Sequence, residues 1–133
     1  MTINNMIISF IASVSIMILP MWSTIPDTYY QCWAIVASYS HESKKVYVCD
    51  WIDDQEFHLN HELWHYYWFN IMTEIQRKRY TKEYNKAKVF YREYSNTNAE
   101  EDFADNFSLM ILERRQAYGI QKRINLIKHF YKK

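Results

Sequence analysis

The chain has 133 residues, a formal net charge of +1, and a high content of hydrophobic (49%) and aromatic (18%) residues. This length suits one domain with a single modest core, and the composition excludes a disordered chain. The near-neutral charge balance gives no electrostatic reason to expect a nucleic-acid partner.

An apolar segment opens the chain. No charged side chain precedes Asp27, and residues 6–19 form an almost continuous apolar run. This run matches the core of a signal peptide better than a membrane span, which needs about 20 residues. We therefore expect residues 1–23 to be a signal peptide or an uncleaved anchor that contacts the membrane through 6–19. The remaining domain, 24–133, would then be secreted or held outside the cytoplasm. A buried N-terminal helix or strand of a cytoplasmic protein is the alternative.

Two short apolar segments then predict a β-hairpin. Residues 34–37 and 46–48 are rich in strand-forming side chains, and they flank the polar stretch 40–45. If the hairpin is centred near the start of that stretch, Cys32 and Cys49 lie opposite each other. A disulfide between them would add about 3 kcal/mol in an oxidising compartment. Two small buried thiols are the alternative.

The next segment predicts a buried helix. Asp53 is a candidate N-cap, and Glu56 follows it in capping-box register. From there the helix should run through His61 to at least Phe69. Its second half is aromatic or ligand-like around most of the helix circumference, which is typical of a central helix.

The second half of the chain predicts further helices. Residues 72–94 are rich in Lys and Arg, and they indicate one or two surface helices with a solvated charged face. A polar break then offers Thr97 or Asn98 as the cap of a helix over 99–118. Gly119, the single glycine, is expected to end that helix in a left-handed conformation. A short closing amphipathic helix is marked by Ile120, Ile124, Ile127 and Tyr131.

Residues 61–65 form an HExxH motif within the predicted buried helix. On a helix, positions i and i+4 project from one face, so the imidazoles of His61 and His65 can both reach one metal ion. Neutral imidazole is a good zinc ligand. Glu62 would be held beside the ion, where it can take a proton from a water that attacks a carbonyl. The motif therefore predicts a zinc site with Glu62 as general base.

A catalytic zinc normally has three protein ligands, so a third must come from elsewhere. Glu101 and Asp105 are spaced i, i+4 on a later predicted helix, and both carboxylates can face the HExxH helix. One of them can bind zinc while the other accepts a hydrogen bond from an imidazole N–H. Glu100 competes with Glu101 for the ligand position, and the register with Asp105 favours Glu101.

This arrangement resembles the gluzincin metallopeptidases, which carry HExxH on one helix and a glutamate ligand on a later one. The sequence EDFAD at 101–105 is similar to the EFFAE element that follows HExxH in catalytic domains of the anthrax lethal-factor type. The resemblance covers about half the chain. It implies Glu101 as the third ligand and Asp105 as the residue that orients an imidazole. It also implies a tyrosine that donates to the oxyanion, at Tyr94 or, in reserve, Tyr91.

We expect a mostly helical α+β fold, a minimal zincin-like domain with a small hairpin or sheet packed on the HExxH helix. Strand 46–49 would be the edge along which an extended peptide lies. The predicted function is zinc-dependent hydrolysis of peptide bonds in a peptide or protein. A non-catalytic, zinc-stabilised binding domain and a membrane-associated interaction protein with an accidental HExxH are the alternatives. The expected core between the two site helices consists of Trp64, Trp68, Phe103 and Phe107.

Overall fold

The computed structural model describes residues 15–26, 28, 30–32, 37–40, 42–50 and 53–130. Over these residues the chain forms a small sheet followed by helices, which confirms the predicted mostly helical α+β fold. A 3₁₀ helix, Glu93–Asn96, precedes the third α-helix. The elements in chain order are β1 (Ser15–Leu19), β2 (Ala37–Ser40), β3 (Lys45–Cys49), α1 (Gln55–Asn70), α2 (Glu74–Lys86), α3 (Ala99–Ile111) and α4 (Tyr118–Phe130).

The sheet has the strand order β1-β3-β2, so β3 lies in its centre. β1 pairs with β3 in parallel, and β2 pairs with β3 in antiparallel orientation. Because both sides of β3 are paired, the expectation that strand 46–49 offers an edge to a peptide is wrong. The sequence predicted a two-stranded hairpin, whereas residues 15–19 supply a third strand. Among the described strands, β2 is an edge strand, and it packs on α1.

The last part of the N-terminal apolar run forms β1, and residues 6–14 of that run lie outside the described residues. Ile18 on this strand is 64% exposed. None of the helices that the structure describes is both long and apolar enough to cross a membrane. The signal peptide or anchor over 1–23 stays a prediction.

The hairpin formed by β2 and β3 is displaced from its predicted position. Ala37 pairs with Val48, which centres the turn on residues 42 and 43. Residues 34–36 of the predicted first strand are outside the described part of the chain. The structure contains a Cys32–Cys49 disulfide with the Cα atoms 5.5 Å apart. In this register Cys32 is not the cross-strand partner of Cys49, so the disulfide joins β3 to the segment that leads into β2.

Two helix starts show how local capping competes with tertiary contacts. The capping box predicted at Asp53 is wrong, because α1 begins two residues later and Asp54 is its N-cap residue. Asp54 adopts a left-handed conformation (φ 55°), and its carboxylate accepts hydrogen bonds at 2.6 and 2.8 Å from Arg114 instead of capping the helix. At α3, by contrast, the side-chain oxygen of Asn98 accepts a hydrogen bond at 2.9 Å from the Glu101 N–H.

The end of α3 differs from the prediction, since the helix stops at Ile111 and Gly119 lies in the first turn of α4. Glu113 takes the left-handed position instead, with φ 54°. Its N–H donates to Met110 O at 3.1 Å, and the Arg114 N–H donates to Leu109 O at 2.9 Å. This pair of hydrogen bonds is the Schellman motif. The expected glycine cap is therefore wrong.

The core lies between α1 and α3, as predicted. The rings of Trp64 and Phe107 stack with their centroids 3.3 Å apart, and those of Trp68 and Phe103 are 5.2 Å apart. All four side chains are buried, which confirms their assignment to the core. α4 adds a buried apolar row formed by Ile120, Ile124 and Ile127, and Tyr131 of the predicted closing helix lies outside the described residues.

Candidate metal centre

Both HExxH histidines meet Glu101 where α1 packs against α3. Nε2 of His61 and Nε2 of His65 lie 2.9 Å apart. Oε2 of Glu101 is 2.9 Å from the first nitrogen and 3.2 Å from the second. Both imidazoles are buried, with 2% and 7% exposure. The packing of two helices thus brings three predicted ligand atoms together. These atoms lie close enough to one another to hold a metal ion.

The second nitrogen of each imidazole faces its own carboxylate. His61 Nδ1 is 2.6 Å from Asp105 Oδ1, and His65 Nδ1 is 2.7 Å from Glu100 Oε2. Since an ionised carboxylate only accepts hydrogen bonds, these contacts place a proton on each Nδ1. In a neutral ring Nε2 is then an acceptor, and both Nε2 atoms face the Glu101 oxygen. Three acceptors at such distances repel one another unless protons or a cation lie among them.

The donor set fits zinc. Zinc binds imidazole nitrogen and carboxylate oxygen at about 2.0–2.1 Å, which in tetrahedral geometry separates two ligand atoms by about 3.3 Å. The three distances of 2.9, 2.9 and 3.2 Å are slightly shorter than this. A small outward shift of the side chains would therefore accommodate the ion.

The charges around this point favour a cation. Burial opposes protonation of His65, but its hydrogen bonds to Glu100 and Glu101 outweigh burial and raise its pKa to about 10. Burial also opposes protonation of His61, but its hydrogen bonds to Asp105 and Glu101 outweigh burial and raise its pKa. For Asp105, burial is outweighed by hydrogen bonds from His61 and Arg92, and its pKa falls to about 2. The surrounding carboxylates thus favour positive charge at the two imidazoles, which a proton or a metal ion can supply.

Glu62 lies beside the three ligand atoms and not among them. It lines a cleft of about 300 Å³ together with His65, Glu100 and Glu101 from the cluster and with Ala37, Ser38 and Tyr39 from β2. Burial raises the pKa of Glu62, and the neighbouring imidazoles oppose that rise. Trp64 is not part of this lining because it packs into the core. A carboxylate at the cleft wall is therefore close to the candidate metal position without being a ligand.

Of the two candidate tyrosines, the structure brings Tyr94 to the cleft. Its ring centroid is 6.0 Å from that of His61, and it lines the same cleft as Glu62. Burial and the nearby carboxylate of Glu101 raise the pKa of Tyr94, so its hydroxyl keeps its proton. Tyr91 instead packs against Phe57 with ring centroids 5.3 Å apart, outside the lining of the cleft.

Sequence reasoning missed two partners of the cluster. Glu100 was expected to compete for the metal, whereas the structure places it on Nδ1 of His65. The charge pattern of residues 72–94 predicts a solvated position for Arg92, whereas its guanidinium donates two hydrogen bonds of 2.8 Å to Asp105. Nothing in the local pattern distinguishes Arg92 from its charged neighbours, since the contact depends on how residues 92–95 pack on α3.

No family model matches the chain, and neither a curated protein nor a solved structure matches it significantly. A function for this chain must therefore be argued from the chemistry of the site.

Proposed function

We propose that the chain is a zinc-dependent peptidase with His61, His65 and Glu101 as metal ligands. The observation that carries this proposal is the convergence of three candidate ligand atoms, the two imidazole Nε2 atoms and one Glu101 oxygen, while both Nδ1 atoms face carboxylates. Two imidazoles and one carboxylate would supply the three protein ligands that are typical of a catalytic zinc site. Zinc bound there would supply a Lewis acid that polarises a carbonyl and lowers the pKa of water.

Glu62 is the general base in this proposal. Glu62 lines the cleft together with His65 and Glu101, and it is partly exposed to solvent there. Glu62 takes the proton of the attacking water and then passes it to the leaving amine. Tyr94, whose hydroxyl stays protonated, donates a hydrogen bond to the oxygen that gains negative charge.

An extended peptide is the substrate that suits the cleft. β2 contributes Ala37, Ser38 and Tyr39 to one wall, and it is an edge strand of the described sheet. Such a strand offers main-chain donors and acceptors with which an extended peptide can pair. We therefore place the peptide along β2 instead of strand 46–49.

The proposed location is outside the cytoplasm. The Cys32–Cys49 disulfide supports it, because disulfides persist in oxidising compartments and are rare in the cytosol.

Replacing the base separates catalysis from metal binding. We predict that Glu62→Gln keeps zinc and lowers peptide hydrolysis by about 10²- to 10⁴-fold, the range that general-base catalysis contributes. The measurement is cleavage of a peptide library by zinc-loaded wild type and variant, with metal content determined in parallel. Glu56→Gln, an exposed glutamate in the first turn of α1, is the matched control and should leave the rate unchanged.

A Glu62→Gln variant with the full rate of hydrolysis would contradict the assignment of the base. Zinc-loaded wild type that cleaves no peptide would instead favour a zinc-stabilised, non-catalytic binding domain, for which Glu62→Gln is harmless.

A further inference from the structure

Arg92 is joined to the candidate metal ligands through one buried carboxylate. Its Nε donates to Asp105 Oδ2 and its Nη2 donates to Asp105 Oδ1, both at 2.8 Å. Ser95 Oγ donates to Oδ2 at 2.5 Å, and Oδ1 is also the atom that faces Nδ1 of His61 at 2.6 Å. Asp105 is fully buried, so these donors fix the orientation of its carboxylate.

The same guanidinium also contacts the tyrosine of the cleft. Its carbon atom lies 5.1 Å from the ring centroid of Tyr94 and 5.2 Å from that of Phe57, which are cation–π distances. One side chain therefore contacts both the carboxylate that holds His61 and the ring that lines the cleft.

We propose that Arg92 is a positioning residue of the metal centre. Its guanidinium fixes the orientation of the Asp105 carboxylate, and Asp105 in turn fixes the ring of His61. The cation–π contact of the same guanidinium keeps Tyr94 beside the cleft. This inference rests on the proposed metal site. A planar guanidinium can meet both carboxylate oxygens at once, which the point charge of a lysine cannot do.

Arg114 provides a matched control. It also donates two hydrogen bonds to one aspartate, at 2.6 and 2.8 Å to Asp54, and its guanidinium carbon lies 5.8 Å from the Phe57 ring centroid. Neither Arg114 nor Asp54 contacts a candidate metal ligand in any of these interactions. Arg114→Gln thus removes the same kind of interaction from another part of the molecule.

The first test is zinc affinity, measured by competition with a chromophoric chelator. We expect Arg92→Gln to weaken zinc binding about 10- to 100-fold, as loss of partners behind metal ligands typically does. Arg92→Lys should fall between wild type and Arg92→Gln, and Arg114→Gln should stay within about twofold of wild type. Equal affinity of wild type and Arg92→Gln would overturn the inference and leave the metal site standing.

A second measurement needs no metal. In the metal-free protein, histidine-ring NMR follows the exchange of the His61 Nδ1 proton with solvent. We expect this exchange to be at least about tenfold faster in Arg92→Gln and unchanged in Arg114→Gln, since only the first variant loosens Asp105. If wild type binds no zinc, the proposed function fails, and this exchange rate still decides the role of Arg92. An unchanged exchange rate of the His61 Nδ1 proton in Arg92→Gln would overturn the proposed positioning role of Arg92.

Discussion

Two carboxylates decide which nitrogen of each site histidine faces the candidate metal position. Asp105 accepts from Nδ1 of His61, and Glu100 accepts from Nδ1 of His65. With both Nδ1 atoms engaged, the Nε2 atoms point at Glu101, and contacts within the protein fix the orientations of both rings. The two adjacent glutamates, which the sequence left in competition, contact different nitrogens, since Glu101 faces the Nε2 atoms and Glu100 faces Nδ1 of His65.

Exchanging each glutamate for glutamine tests which of them is the third ligand. We predict that Glu101→Gln loses stoichiometric zinc, because it removes a charged ligand. Glu100→Gln should retain zinc with affinity weakened about 10- to 100-fold, since the glutamine oxygen still accepts from His65. Zinc content after dialysis and titration with a competing chelator measure both effects. Greater loss of zinc in Glu100→Gln than in Glu101→Gln would mean that Glu100 is the third ligand.

Among the helices, the ends were harder to predict than the interiors. α1 could be predicted from its aromatic content and from the HExxH spacing, which has chemical meaning only on a helix. Its start could not, because the ion pair between Asp54 and Arg114 joins residues 60 positions apart. The sequence predicts Gly119 as the C-terminal cap of α3, since glycine adopts the left-handed conformation most easily. Glu113 takes that position instead, and the side chain of the next residue, Arg114, pairs with Asp54.

The left-handed residue after α3 offers a stabilising substitution. This conformation costs an ordinary residue about 1–2 kcal/mol, and glycine adopts it freely at some cost in chain entropy. We predict that Glu113→Gly raises the free energy of unfolding by about 0.5–1 kcal/mol, measured by urea denaturation. Glu113→Ala removes the same carboxylate without relieving the backbone and should bring no gain. If Glu113→Gly is no more stable than Glu113→Ala, the proposed free-energy cost of the left-handed conformation at Glu113 is contradicted.

At the scale of the molecule, one buried polar network joins the last three helices. Arg123 of α4 donates to both oxygens of Asp102 on α3, at 2.8 and 3.0 Å. Tyr80 of α2 donates to Asp102 at 2.6 Å, and Asn106 donates to the Tyr80 hydroxyl at 2.8 Å. Asp102 and Arg123 are almost fully excluded from solvent. Asp102 directly follows Glu101, so the network also fixes the helix turn that carries the third candidate ligand.

Removing the cation of this network should destabilise the whole fold. We predict that Arg123→Leu lowers the free energy of unfolding by about 3–5 kcal/mol, because it leaves the Asp102 carboxylate buried without its charged partner. Urea denaturation of the metal-free protein measures this loss. Lys122→Leu, which changes an exposed neighbour on α4, is the control. A loss below about 1 kcal/mol would show that the pair is not needed for stability.

The sequence predicted the centre of the site better than its surroundings. His61, Glu62 and His65 follow from one motif, and Glu101 and Asp105 follow from helical spacing opposite it. Contacts between distant segments determine the remaining features. These are the network of Arg123 and Asp102, the hydrogen bonds from Arg92 to Asp105, and the pairing of β1 with β3. No local periodicity encodes such contacts, which explains why the third strand and these arginines were missed.

Metal content tests the central claim most directly. The measurement is elemental mass spectrometry on protein purified without a chelator or a metal-affinity tag, with His61→Ala prepared in parallel. We predict about one zinc per wild-type chain and no stoichiometric zinc in the variant, because a ligand is lost. Absence of bound metal from wild type, even after incubation with zinc, would contradict the metal site and with it the proposed peptidase.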